Sequence, residues 1–342
     1  VIRNWQKEAR MREKILGLLS GEKIDIQPAF SGLIHITAEG LESEDLVFHE
    51  IHKNAQKMAR AAASTFKLTG MPSATLPLDL CAPAEALGAT LSFYEGGDLQ
   101  FPQVKKALVE SAKDLPTDAS RTEFTEILNK GRLPIICEAI KLVKSEIGKD
   151  AVISGMIPGP YTLLLYLCNP KNLFIEMKKE PQAVINALFY LSSFLSKIGS
   201  AYREAGADFI TIHEMGGSPG FIGPVKFEQF VLPALKELHA KLPSPRVLSV
   251  CGNVTKALDL LNQTGAEAIS VDQTVDLATA RSALKDTLLF GNLDPVMTLF
   301  RGDENRVRES TQRAKEARVD AVMPGCDLVV QTSVKNLQEM LK

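Results

Sequence analysis

The 342-residue sequence predicts a single-domain α/β fold, a (β/α)8 TIM barrel with an N-terminal helical extension. Three observations carry that reading. Short β-branched runs alternate with amphipathic helical segments, the pattern of a parallel sheet covered by helices. The units number about eight, the count at which such a sheet closes into a barrel. No linker, low-complexity tract or charge block divides the chain. Residues 1–342 are therefore read as one domain, with 1–22 as a helical segment packed on the barrel. The alternative, an open doubly wound sheet, would carry a GxGxxG turn after its first strand, and none is present.

The elements follow in order. Residues 24–30 form the first strand candidate, 74–78 the next, and 89–94 an extra hairpin arm. The rhythm then becomes regular, with strands expected at 151–156, 208–213, 246–251, 268–271, 287–291 and 320–323. Between them lie segments of helical period. The clearest carries Val184, Leu188, Leu191, Leu195 and Ile198 on one face and ends near Gly206. Segments 226–242, 254–261, 277–284 and 305–317 fill the later gaps.

With 45% hydrophobic and 23% charged residues, the chain has apolar material enough for a large core. A net charge of -2 provides no basic field for nucleic acid. A small substrate or a protein partner fits better. The longest apolar-looking run, 161–167, falls far short of the about 20 residues of a membrane span. Residues 1–14 are charged throughout and lack the apolar core of a signal peptide. The expectation is a soluble cytoplasmic protein with no nucleic-acid or membrane contact. Five scattered cysteines, an odd number, do not make a disulfide framework, so each is read as a reduced thiol.

Active sites of such barrels lie at the C-terminal ends of the strands. There the sequence places His213 and Glu214, then Cys251-Gly252-Asn253, then Asp272, then Gly291-Asn292-Leu293-Asp294-Pro295, then Pro324-Gly325-Cys326-Asp327. Two cysteines and several acids point at one mouth. Thiolates bind zinc strongly, and a carboxylate or imidazole completes the set while one position stays open. Zinc would hold a substrate thiol as thiolate at neutral pH. On the residues alone, Cys251 and Cys326 are either such ligands or small core residues. Cys81, Cys137 and Cys168 are read as core. His213-Glu214 opens like a zincin motif but has no second His at helical spacing. Gly216-Gly217-Ser218-Pro219-Gly220 reads as a turn, and Asp294 before Pro295 as a helix N-cap.

The motifs at Cys251-Gly252-Asn253, 291–295 and Pro324-Gly325-Cys326, with Gly155-Met156-Ile157-Pro158-Gly159-Pro160-Tyr161-Thr162, resemble those of the uroporphyrinogen-decarboxylase-like superfamily. Within it the chain looks most like the methylcobamide:coenzyme M methyltransferases, nearly end to end. That resemblance implies a zinc motif of His-x-Cys and a distant Cys, with Cys251 and Cys326 in the two cysteine places. The His position is Ser249 here, and serine is a poor zinc ligand. Residues 249 and 251 alternate on one strand and face the same way. Either a group from elsewhere replaces the imidazole or the site is weakened; as replacements Glu214 and Asp272 are preferred over His213, because a strand residue at 213 can point into the wall. The implied site has Cys251, Cys326 and Glu214 on the metal, Glu214 and Asp272 as catalytic acids, and Asn253 and Asn292 as cofactor-binding residues.

The resemblance further implies methyl transfer between a methylcobamide, a corrinoid co-substrate carried by a partner protein, and a small acceptor such as a thiol or tetrahydrofolate. Zinc activates that acceptor, and a homodimer is compatible with the family. Two alternatives stand beside it. A cofactor-free decarboxylase would need an arginine clamp for the substrate carboxylates, but Ala29-Phe30-Ser31-Gly32-Leu33-Ile34-His35 contains none. A non-catalytic binding subunit is the other, suggested by Ser249.

Overall fold

Seven parallel strands form the sheet around which the chain is built: β1 (Ser73–Leu76), β4 (Val152–Pro158), β5 (Phe209–Glu214), β6 (Arg246–Val250), β7 (Ala268–Val271), β8 (Leu288–Leu293) and β9 (Ala321–Pro324). They pair in that order, each beside the next. The computed structural model describes residues 5–97, 99–115, 117 and 123–342. Each of these strands lies within two residues of its expected bounds. The sheet is curled, and helices cover its outside, so the barrel fold stands.

The expected first strand at 24–30 is the exception. It is reduced to a single bridge, Ala29 to Val322, that closes the curl on the β9 side. Phe30 N donates to Val322 O at 3.2 Å and Val322 N to Pro28 O at 2.9 Å. Pro28 has no N–H to extend a ladder. On the β1 side, Ser31 N donates to the hydroxyl of Ser73 at 3.0 Å rather than to backbone. The hairpin arm is present as β2 (Thr90–Ser92) and β3 (Gln103–Lys106), antiparallel to each other and apart from the barrel sheet.

Helix Pro181–Ala205 buries the predicted face of Val184, Leu188, Leu191, Leu195 and Ile198. Each such side chain contributes roughly 1.5–3 kcal/mol when taken out of water. The helix stops at Gly206, whose φ of 120° suits glycine. Segment 226–242 divides into Pro224–Lys226, a π-helical turn Phe227–Val231 and Leu232–Lys241. Helix Trp5–Leu19 buries Ile15, Leu18 and Leu19. Its Arg12 pairs with Asp208 at 2.8 Å, at the N-terminal end of β5 and so opposite the mouth.

The barrel interior is layered along β5. Phe209 lies edge-on to Phe30 at 6.3 Å, and Phe30 meets Phe290 at 5.5 Å. Two residues on, Thr211 shares a hydrogen bond of 2.8 Å with Ser154. Two further, His213 reaches the mouth. An apolar floor thus gives way to polar side chains as the strand climbs, because every second residue faces inward. No helix of the described residues is long and apolar enough to cross a membrane.

Candidate metal centre

The end of β5 presents two neighbouring residues to opposite sides. His213 points inward and is fully buried. Its Nε2 lies 3.1 Å from Cys251 Sγ, just past the end of β6, and 3.9 Å from Cys326 Sγ, just past the end of β9. The two sulfurs are 3.1 Å apart. Among the described residues, these three form the one group whose ligand atoms gather as a metal requires, all within 4.8 Å of one another.

Glu214 points outward instead, and the expectation that it is the third ligand is corrected. Its carboxylate accepts from Tyr161 N at 3.1 Å, Thr162 N at 3.0 Å and Gly217 N at 2.9 Å, and from the Thr162 hydroxyl. It therefore satisfies the orphan N–H groups at the start of helix Pro160–Leu167, where an anion is also favoured by the helix dipole. Burial pushes its pKa up, and the Thr162 hydroxyl and these backbone donors oppose that rise. Gly159 makes the contact possible, since a Cβ there would run into the carboxylate.

The loops behind the thiols are tied together. Ser218 donates its hydroxyl to the carbonyl of Cys251 and accepts from Gly220 N at 3.1 Å. Gly220 packs so close to the next loop that a Cβ would sit 2.9 Å from Asn253 N. Gly252, at φ 80°, turns the chain away directly after Cys251. Asp272 is buried near Cys251, with Oδ1 accepting from Thr274 N at 2.8 Å. The Asn292 amide donates to Asp272 O at 3.0 Å and Val275 O at 2.8 Å, lashing β8 to the loop after β7, and the residue lines a cavity of about 550 Å³ with Gln273 and Asp294. Asn253 is exposed, accepts from Thr255 N at 3.1 Å and lines a cavity of about 400 Å³ with Pro219, Pro224 and Lys256.

The charges at the mouth are coupled. A hydrogen bond to Cys326, then burial, pushes the Cys251 thiol far up. The hydrogen bond from Cys251 outweighs burial and, with His213 behind it, holds Cys326 well below the ordinary thiol value. Their shared hydrogen bond thus favours the proton on Cys251 and the negative charge on Cys326. Burial opposes protonation of His213, but Asp327 and Cys326 prevail and push it up to about 9. Asp327 is itself raised to about 6 by burial, against the pull of His213.

Two residues the sequence reading passed over thus matter here, His213 and Asp327. The signal for the first was strand alternation: 209, 211 and 213 share a face. Asp327 is reached only through the fold, because its partner lies 114 positions away in sequence. A third feature had no local signal. Asp79, just beyond β1, is clamped by Arg132 through contacts of 2.7 and 3.0 Å, with His52 at 3.2 Å.

A barrel whose mouth gathers an imidazole and two thiols is the layout of an enzyme. The chain belongs to the uroporphyrinogen decarboxylase (URO-D) family, whose model matches residues 10–342. It is 32% identical over 335 residues, 97% of this chain and 96% of its relative, to the methylcobamide:CoM methyltransferase MtbA of Methanosarcina acetivorans. It is 27% identical over 337 residues to the methylcobamide:CoM methyltransferase MtaA of Methanosarcina barkeri, covering 98% and 97% of the two. A solved methyltransferase from Methanosarcina mazei superposes with a TM-score of 0.90 at 26% identity, covering 96% of each chain. The chain is a methyltransferase of this family.

Proposed function

We propose that this chain is a corrinoid-dependent methyltransferase that moves a methyl group between a methylcobamide on a partner protein and a small thiol of the coenzyme M kind. In this reading zinc is held by His213, Cys251 and Cys326. The observation that carries it is the gathering of those three donors at the mouth of a barrel similar throughout to methylcobamide:CoM methyltransferases.

The donor set fits the ion. Two soft thiolates and an imidazole are preferred zinc ligands, and three protein ligands leave a position for substrate. When bound, zinc supplies Lewis acidity that keeps an acceptor thiol ionised at neutral pH. The chain's own residues do the rest. Cys326 offers a ready thiolate, while Cys251 and His213 give up protons as the site fills. Asp272, beside Cys251, is assigned to take the proton that the acceptor thiol loses. Asn253, which lines the rim cavity, is assigned to meet the incoming ligand. The half-buried thiols sit above a packed barrel that keeps water from below, and an acceptor sulfur held at them would be restricted in orientation for attack. In the transfer the thiolate sulfur would take the methyl carbon from the methylcobamide co-substrate, which would keep the electron pair of the broken bond. The reverse transfer uses the same groups.

The decarboxylase alternative is disfavoured by segment 29–35. It contains no arginine, and it is buried against β1, β4 and β9. The test is zinc content beside methyl transfer from methylcobalamin to coenzyme M. Wild type is expected to hold about one zinc per chain. Cys251→Ala and Cys326→Ala should lose both metal and transfer. Full transfer by either variant would sink the mechanism.

A further inference from the structure

The register of the sheet sets His213 on β5 directly beside Ser249 on β6. Paired positions of parallel strands face the same side, so the imidazole enters the barrel one strand away from 249 and at the same height. The Ser249 hydroxyl is buried with no hydrogen-bond partner among the described residues. An imidazole carried across from the neighbouring strand approaches the thiols from a new direction and needs a new support behind it.

That support is visible. With Nε2 turned to the sulfurs, His213 Nδ1 is buried and lacks a hydrogen-bond partner among the described residues. The carboxylate facing it is Asp327, whose Oδ2 is 3.6 Å from Nδ1. Ile34 N donates to Asp327 Oδ1 at 2.8 Å, which anchors that carboxylate from the first barrel position. Asp327 follows Cys326 in sequence, so one loop delivers both a thiol and the group behind the imidazole. A movement of about 0.6 Å brings Nδ1 and Oδ2 to hydrogen-bond length.

We propose that Asp327 is a positioning residue for His213: its carboxylate accepts the Nδ1 proton, fixes the tautomer and holds Nε2 towards the thiols. A carboxylate behind an imidazole ligand orients the ring and raises its basicity. The inference rests on the reading that His213, Cys251 and Cys326 bind zinc.

The experiment compares Asp327→Asn in two backgrounds, wild type and the exchange variant His213→Ser/Ser249→His. Asparagine keeps an oxygen for Ile34 N but carries no charge. Zinc affinity is read by competition with a chromophoric chelator, and ligand geometry by the visible bands of the cobalt(II) form. In the wild-type background Asp327→Asn should weaken zinc about 10- to 100-fold and shift the cobalt bands. In the exchange background, where the imidazole arrives from β6, it should change neither. Equal losses in both backgrounds would make Asp327 a general brace and overturn the inference. An unchanged affinity and spectrum in wild type carrying one zinc would overturn it too, leaving the metal reading intact. A wild type that binds no zinc would overturn the reading itself. Should the exchange variant not fold, Asp327→Glu decides: affinity recovered relative to Asp327→Asn supports positioning, and no recovery refutes it.

Discussion

At the scale of single residues, the chemistry of this barrel turns on a two-sided strand end. His213 and Glu214 are adjacent, yet one reaches the thiols and the other caps a helix. The proton inventory makes the first role measurable. With His213 raised to about 9 and Cys251 raised further, zinc binding at the proposed donors would have to displace two protons below pH 9. Apparent zinc affinity should therefore climb with pH, releasing about two protons per metal below pH 9 and about one above it. Potentiometric titration during zinc addition reads this directly, and a flat profile would contradict the donor set. For Glu214 the expectation is opposite. Glu214→Gln puts an amide where three backbone donors point, so it should destabilise the fold by about 1–3 kcal/mol while zinc stays bound. Denaturant midpoints with metal analysis separate the two, and loss of zinc at unchanged stability would return Glu214 to the ligand set.

At the scale of elements, close approach is what aligns the loops. Helix Pro160–Leu167 starts where the Glu214 carboxylate arrives, and only a residue without a side chain leaves room at 159. Gly159→Ala should displace the helix start and lose about 1–3 kcal/mol, as overpacking does. A urea unfolding curve suffices, and an unchanged midpoint would mean that the carboxylate moves aside freely. Elements were also where the sequence was most readable. Short β-branched runs placed seven strands because each is buried on both faces and so rich in apolar residues. The strand at 24–30 misled because hydrophobic pattern says nothing about which N–H groups find partners. Pro28 removes one donor and Ser73 diverts another from backbone pairing.

At the scale of the whole molecule, distant segments are locked by buried charge. Arg132, at the start of helix Leu133–Ile147, grips Asp79 beyond β1 and Glu85 at 2.7 Å, and donates to the carbonyl of His52 at 3.3 Å. Burial opposes ionisation of Asp79, but Arg132 and His52 hold its carboxyl well below the usual range. Arg132→Met strands that carboxylate and should cost about 3–5 kcal/mol at pH 7. The sign follows from linkage. A depressed folded pKa stabilises above the unfolded value and loses that contribution as pH falls below about 4. The gap between wild type and variant should therefore narrow in acid. Unfolding curves at pH 7 and pH 3 test it, and a constant gap would show that Asp79 is not the group responsible.

By itself the sequence determined the barrel, the mouth and the two thiols that point into it, because hydrophobic period, chain order and strand-end position are local properties. Cys251 and Cys326 were legible as candidates because each follows a strand end, and the family resemblance set them apart from core thiols. Tertiary structure alone decided which neighbour completes the set. The choice between His213 and Glu214 depends on the phase of β5 relative to the barrel axis and on a helix start that needs an anion. The partner of His213 depends on a loop from the far end of the chain. Those are contacts between segments more than fifty residues apart in one case and more than a hundred in the other, and no periodicity within any one segment encodes them.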